Sequence, residues 1–392
     1  MIILKTDKLK EIASKVAMGV DGDRTSPLSE LLELELKNKE LTLKTTNKEF
    51  FLKTILSDIT DSEEELHITI NADVFLSLIN KITTNTIKLE ITKEGLELYG
   101  NGKYTFPLFL DGEESIRLPE IPFNVDESTV SFEISGDILK SIYDFNSKEL
   151  TKDQTINYIQ RHYYFDEFGA LTYVENACIN EFKLPQPVKL LFNERLVQLF
   201  KLFAGKEVKF SWNKKESGVD EKGNIIYQNK VKFDIEGMEL TSIVPHSDLV
   251  ERYPVIALRN LVEIEYPGQV KIAKQGLQSA IERLFIFDKL GINRSDLKKC
   301  GKLEFKDKEL IITNTKDKNF EIVPYIDQEE IALNYTLYIS LADLLKHVNI
   351  SSQNSLSILY GTEDAIVIQR DNLKQVIPPM TDPTDWINSV GN

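Results

Sequence analysis

Cysteine is nearly missing from this chain. Its 392 residues hold two, Cys178 and Cys300, 122 positions apart and with no Cys-x-x-Cys pair. That excludes a disulfide scaffold and a zinc ribbon, and it fits a reducing cytosol. Histidine is as sparse: His67, His162, His246 and His347 stand more than 80 residues apart, so no two have a metal-ligand spacing. Glycine-rich phosphate loops, the GxSxG elbow and HExxH are all absent. Ser211-Trp212-Asn213-Lys214 and Ser295-Asp296-Leu297-Lys298 satisfy SxxK, but neither has a companion motif. No enzyme activity, metal or cofactor is therefore expected. Long hydrophobic runs are missing too. Nothing approaches the ~18–20 apolar residues of a bilayer span, and Ile2-Ile3-Leu4 is too short for the core of a signal peptide. The expectation is a cytoplasmic protein with no membrane association. Positive charge is in deficit, 47 Lys and Arg against 62 Asp and Glu, a net −15. That is the wrong sign for a protein that coats nucleic acid, so any such role needs local segregation of charge.

What the chain does have is repetition. A short alternating strand runs into a short apolar-striped helix six times, at Ile2-Ile3-Leu4-Lys5-Thr6, Ile68-Thr69-Ile70-Asn71, Phe132-Glu133-Ile134-Ser135, Leu190-Leu191-Phe192-Asn193, Val270-Lys271-Ile272-Ala273-Lys274 and Leu337-Tyr338-Ile339-Ser340. Five of the six end in Thr, Asn or Ser, whose side-chain oxygen can cap a helix N-terminus; Lys274 is the exception. The junctions are spaced 65, 64, 58, 81 and 66 residues apart, and the long interval holds Asn213 to Val231, which reads as an inserted hairpin of 19 residues. Helix stripes such as Leu9/Ile12/Ala13/Val16, Val74/Phe75/Leu78/Ile79 and Leu196/Val197/Phe200/Phe203 predict helices of about 10–15 residues.

After each helix come alternating stretches, among them Leu41 to Thr45, Ile87 to Ile91, Val208 to Trp212 and Leu310 to Thr313. Period two with polar partners predicts antiparallel sheets with one wet face. Proline-bearing stretches at Leu118 to Pro122, Arg252-Tyr253-Pro254 and Val376 to Met380 close every second unit. The expected class is α+β, in three similar domains at 1–125, 126–257 (carrying the hairpin 213–231) and 258–380, each of two strand-helix-strands units. Residues 381–392 read as a polar C-terminal tail, with Trp386 its one aromatic side chain. The acidic run Asp58 to Glu65 reads as a solvated loop.

The order and period of these units resemble the bacterial-type DNA polymerase sliding clamp, the beta subunit, including phage-encoded members. Arg24-Thr25-Ser26-Pro27-Leu28-Ser29-Glu30-Leu31-Leu32 is similar to that family's Arg…Pro-Ile-Leu…Leu-Leu stretch. Phe106-Pro107-Leu108 with Leu118-Pro119-Glu120-Ile121-Pro122 resembles the close of its first domain, and Val376-Ile377-Pro378-Pro379-Met380 resembles its terminal Val-Val-Met-Pro-Met. Where many members carry Ala-Thr-Asp-Gly-His-Arg-Leu-Ala, this chain reads Tyr173-Val174-Glu175-Asn176-Ala177-Cys178-Ile179-Asn180, a departure that points toward a phage or another divergent lineage. The resemblance implies a DNA-clamp fold with antiparallel sheets outside and short helices lining a ring. It also implies a processivity factor that encircles double-stranded DNA and tethers the replicative DNA polymerase, with a clamp loader as second partner. The other readings are a β-rich structural protein with repeated units or a carbohydrate-active enzyme built on β-layers.

A pore must attract phosphates without reading bases. The six helix segments 6–18, 72–82, 136–148, 193–206, 271–289 and 340–347 together carry +5, so the rest of the chain carries −20. Lysines on wet helix faces are ordinary solvation taken singly; the split between helices and remainder is not. The resemblance implies pore-facing Lys10, Lys15, Lys148, Lys152, Arg195, Lys201, Lys274 and Lys346, with Arg24 on duplex phosphates. It implies a peptide cleft lined by Ile156, Val174, Ile179, Pro254, Leu258, Val376, Pro379 and Met380. It further implies a homodimer joined head to tail, with Tyr104, Phe106 and Leu108 of one copy meeting Ile286 and Phe287 of the other. The run Leu284-Phe285-Ile286-Phe287 is apolar over more of its helix than one core face requires.

Overall fold

The computed structural model describes residues 2–20, 26–47, 49–57, 59, 64–147, 155–219, 223, 225–288, 300–314, 319–327, 334–350, 353–362 and 365–380. Among the described residues the chain runs strand, helix, three strands six times. The first repeat is β1 (Ile2–Lys5), α1 (Thr6–Ala17), β2 (Leu31–Lys37), β3 (Glu40–Thr46) and β4 (Phe50–Leu56). The second is β5 (Leu66–Asn71), α2 (Ala72–Lys81), β6 (Thr86–Thr92), β7 (Gly95–Tyr99) and β8 (Lys103–Phe106), followed by the small hairpin β9 (Leu110–Asp111) and β10 (Glu114–Ser115). The third is β11 (Val130–Ser135), α3 (Gly136–Ser141), β12 (Tyr163–Asp166), β13 (Gly169–Tyr173) and β14 (Ala177–Glu181). The fourth is β15 (Lys189–Phe192), α4 (Glu194–Leu199), β16 (Glu207–Val219), β17 (Ile225–Ile235) and β18 (Met238–Val244), with α5 (Ser247–Glu251) and α6 (Val255–Glu263) after it. The fifth is β19 (Gly268–Ala273), α7 (Lys274–Asp288), β20 (Cys300–Phe305), β21 (Glu309–Asn314) and β22 (Phe320–Asp327). The sixth is β23 (Tyr335–Ser340), α8 (Leu341–Ile350), β24 (Ser355–Tyr360), β25 (Ile366–Arg370) and β26 (Leu373–Ile377). All six strand-to-helix junctions fall where the sequence puts them.

The leading strands are exchanged. β1 pairs with β6 of the second repeat, and β5 pairs with β2 of the first. β19 and β23 do the same with β24 and β20. Neither repeat of such a pair can complete its sheet alone, which is why the repeats interlock in twos. The final strands then join neighbouring pairs: β4 lies against β18, and β14 against β26. β8 is the outer strand of the sheet β1-β6-β7-β8, and β22 pairs with β19 only at Lys271 and Ile272.

The chain divides into two compact units, residues 1–140 with 190–251, and 141–189 with 252–392. In the first, α1 packs on α2, and Leu4, Leu9, Ile12, Val16, Phe75, Ile79 and Leu98 are buried together. Ile59, in the acidic run, is buried in the same core, and its carbonyl accepts from the Lys5 backbone. Phe192, Phe200, Phe203, Phe210 and Phe233 form an aromatic cluster in the same unit. In the second unit α7 packs on α8, and Phe305 stacks on Tyr360 with ring centres 3.7 Å apart.

Caps follow the sequence in four places. Asn71, Asn193 and Ser340 accept backbone N–H bonds from Val74, Leu196 and Asp343, and Ser135 accepts from Asp137. Thr6 is a correction: it is already inside α1, with Lys5 at the cap position. Val74 is another, because it faces solvent while Phe75, Leu76 and Ile79 are buried. α3 and α4 are six residues each, shorter than their stripes predict; α3 continues as a π-helical turn, Ile142–Asn146, and α4 as a 3-10 turn, Phe200–Phe203. Residues 213–219 and 225–231 are the outer part of the β16–β17 hairpin.

Gly136 opens α3 where the backbone passes close to the turn after α4. A Cβ there would stand 1.8 Å from the Phe203 carbonyl oxygen, and the Gly136 N–H donates to the Lys206 carbonyl at 2.7 Å. Gly136→Ala is expected to destabilise the first unit by about 2–3 kcal/mol through forced backbone displacement. Thermal unfolding of the variant beside the parent chain measures this, and an unchanged midpoint refutes it.

Candidate nucleic-acid interface, peptide cleft and subunit contact

α1 buries Leu9, Ile12, Ala13 and Val16, so its opposite face carries Lys8, Glu11, Ser14 and Lys15. Lys15 Nζ lies 2.7 Å from Glu11 Oε1, one turn back along the helix. The Glu11 carboxyl sits below the usual carboxylate range. The hydrogen bond and charge of Lys15 are the main causes, outweighing partial desolvation, and the charges of Lys206 and Lys8 add to them. Lys10 is occupied differently: its Nζ donates at 2.6 Å to the Ile82 carbonyl, at the C-terminal end of α2. An ammonium there satisfies an orphan carbonyl and the negative end of the helix dipole. Arg195 is half-buried at the start of α4, and Lys201 is exposed on the turn behind it. In the second unit Lys274 opens α7, its backbone N–H held by the Asn354 carbonyl, and Lys346 is half-buried on α8. Arg24, Lys148 and Lys152 lie outside the described residues. Lys206 and Lys8 are additions, placed by their charge on the Glu11 carboxyl.

The cleft residues with described positions all belong to the second unit. β14 and β26 run antiparallel with Ala177 opposite Val376 and Ile179 opposite Lys374, and α6 packs on β26. Tyr253 is the pillar beneath them. Its hydroxyl donates to the Leu171 carbonyl at 3.0 Å, its ring stacks on Tyr164, and Tyr173 meets it edge-on. Ile179, Val376 and Leu258 are buried, so they form packed floor instead of open wall. The strand pairing spends them. Ile156, Val174, Pro254 and Pro379 are half-buried, and Met380 is exposed, its N–H donating to the Tyr338 carbonyl. Ile256, 78% exposed on α6, is an apolar residue that the sequence reading passed over.

At the subunit contact, Phe106 is also a correction. It is buried against Phe75 with ring centres 5.6 Å apart, because it faces the same side of β8 as the core. Tyr104 and Leu108 are half-buried against that core. On α7, Leu277, Ala280, Ile281 and Leu284 are buried, while Ile286 and Phe287 stay 59% and 39% exposed. Phe320, Ile322 and Ile326 form an exposed apolar row along β22. The sequence signal for that row was a strand apolar on both faces, since Val323 and Tyr325 between them are buried.

The carboxylates that depart from their ordinary range bear on the hydrolytic reading. Glu11, Glu35, Glu97, Asp126 and Glu321 are all held low. A general acid needs the opposite shift. Among the described residues no three His, Cys, Asp or Glu side chains are grouped to hold a metal ion, and no helix is long and apolar enough to cross a membrane.

Residues 1–115 match the family described as DNA polymerase III beta subunit, N-terminal domain. None of the curated protein sequences matches the chain significantly. Among solved structures, the DNA polymerase III subunit beta of Borrelia burgdorferi superposes with a TM-score of 0.76 at 15% identity, covering 97% of this chain and 99% of that one. The DNA polymerase sliding clamp of Bacillus subtilis gives 0.75 at 15% identity over 97% and 99%. The DNA polymerase III subunit beta of Pseudomonas aeruginosa gives 0.76 at 13% identity over 97% and 100%. The chain thus has the sliding-clamp fold over nearly all of its length, and its first 115 residues match the N-terminal domain of the DNA polymerase III beta subunit.

Proposed function

We propose that this chain is a DNA polymerase processivity factor, a sliding clamp that encircles duplex DNA as a homodimer. It acts without catalysis or cofactor, in the cytoplasm of a bacterium or of an infected host. The three-domain division at 1–125, 126–257 and 258–380 belongs to the same reading. The observation that carries it is the pairing rule of the final strands. β4 is paired with β18 and β14 with β26, which leaves β8 and the Phe320–Val323 part of β22 as the two unmatched edges of the same type among the described residues. A second copy supplies each with its partner, closing the assembly in a head-to-tail, two-fold manner. The exposed Ile286 and Phe287 then pack beside the joined strands. Inside the ring, Lys15, Arg195, Lys201, Lys274 and Lys346 attract phosphates diffusely, and Arg24, Lys148 and Lys152 join them.

Partners are held at the cleft beside Tyr253, where Val174, Pro254, Pro379, Met380 and Ile256 offer apolar surface over a packed floor. A polymerase or clamp-loader peptide with Leu or Phe anchors suits such a surface. Tethering turns a weak polymerase–DNA contact into an effectively intramolecular one.

The test is topological. Loaded clamp is expected to remain on nicked circular DNA at least tenfold longer than on the same DNA cut once, because a ring leaves a linear molecule by its ends. Equal lifetimes overturn the reading. Reversing Arg195, Lys201 and Lys206 together to Glu is expected to flatten the salt dependence of short-duplex binding, by about 2–3 in log–log slope and without sequence preference. An unchanged slope removes these residues from the DNA face.

A further inference from the structure

α1 carries, on the face turned away from the core, an acid among bases. Glu11 holds Lys15 through a 2.7 Å ion pair, and its side chain is itself 60% exposed. The neighbouring bases come from two directions. Lys8 lies earlier on the same helix. Lys206 follows the Phe200–Phe203 turn, where its N–H is held by the Phe203 carbonyl and its own carbonyl by the Gly136 N–H. A duplex phosphate that approaches this face needs the Lys15 ammonium, which Glu11 already engages.

We infer that Glu11 is an internal phosphate mimic, a positioning residue that competes with the DNA backbone for Lys15 and so keeps its phosphate contact brief. The inference rests on the clamp reading and names how that surface is regulated. Its physical logic is exchange. A lysine leaving a phosphate has Glu11 as an alternative partner, so it passes between two anions of similar strength without being stranded. The barrier to moving the duplex by one phosphate is thereby lowered. A ring lined by unopposed lysines holds the same duplex more tightly and moves along it less readily. The low carboxyl pKa of Glu11 keeps the mimic charged across the working pH range.

Glu11→Gln removes the charge but keeps the shape, on an exposed position where folding is not at stake; Glu11→Asp restores the charge on a shorter stem. With a short duplex as probe, E11Q is expected to steepen the log–log salt dependence by about 0.9 and to bind on the order of tenfold tighter at 50 mM salt. E11D stays near the parent chain. On stretched DNA, E11Q diffuses several-fold more slowly than the parent, and thermal unfolding of the two is the same. Equal slopes and equal diffusion for E11Q and the parent overturn the inference, and so does the absence of duplex binding by both. Retention of the parent on nicked circles is scored separately. If retention holds while E11Q matches the parent, the mimic fails and the clamp stands. If retention fails, the clamp reading falls whatever E11Q does.

Discussion

Replacing Ile286 and Phe287 together by Asp is expected to yield a single chain in solution that leaves nicked circular DNA as fast as linear DNA. The expectation follows from what α7 spends and what it leaves over. Its core face, Leu277, Ala280, Ile281 and Leu284, is buried within the second unit and untouched by the change. Ile286 and Phe287 are surplus, exposed apolar side chains on a helix that needs neither for its own packing. The nearby β22 adds Phe320, Ile322 and Ile326 on its outer face. Two carboxylates driven into a closing interface lose their hydration, and burying charge there costs several kcal/mol. Dimer affinity is therefore expected to fall at least a hundredfold. The unfolding midpoint stays with the parent, which separates lost association from lost folding. Sedimentation at micromolar concentration reads the outcome. A variant that remains dimeric, or a parent that is monomeric, refutes the contact.

The sequence shows those features whose cause is local. All six strand-to-helix junctions are legible because a change of period from two to 3.6 and a capping side chain occur within a few residues of one another. Asn71 and Asn193 are examples in which the expected oxygen makes the expected bond. Thr6 misleads because its composition suits a cap while the chain has already turned helical at that residue. Leading-strand exchange is not legible, since nothing in β1 or β5 distinguishes its own repeat's meander from its neighbour's. Phe106 has the composition of an interface residue, and only the register of β8 on β7, Leu96 opposite Phe106, turns it toward Phe75. The same holds for Lys10. Its charge could be counted from the sequence, but its engagement with the Ile82 carbonyl arises 72 residues away along the chain.

Acid is expected to loosen the second unit well before its carboxylates protonate. His347 is fully buried on α8, and its Nδ1 accepts a hydrogen bond from Gln375 Nε2 at 2.8 Å. Its backbone carbonyl accepts from the Arg370 guanidinium, which is itself buried. Burial first, and then the charges of Lys346 and Arg370, lower the imidazole pKa from 6.5 to about 3. Arg370 is lowered as well, to about 10, again by burial. Two bases thus share one buried interior. The sign follows from linkage. Because the folded pKa lies below the unfolded one, the stability contributed by neutral His347 is complete above pH 6.5. It is lost as the pH falls from there toward 3, while the unfolded chain takes up a proton that the fold refuses. Between pH 7 and pH 5 the loss amounts to about 2 kcal/mol. His162, buried in the same unit, is shifted in the same direction, also by burial, and adds to the slope. His347→Gln keeps an oxygen to accept from Gln375 and never titrates. Its stability is expected to depend less steeply on pH between 5 and 6.5, by about one proton. Denaturant unfolding of the parent chain and of H347Q, followed by a probe in the second unit at several pH values, decides the matter. Parallel pH profiles for the two would mean that His347 is already charged in the fold.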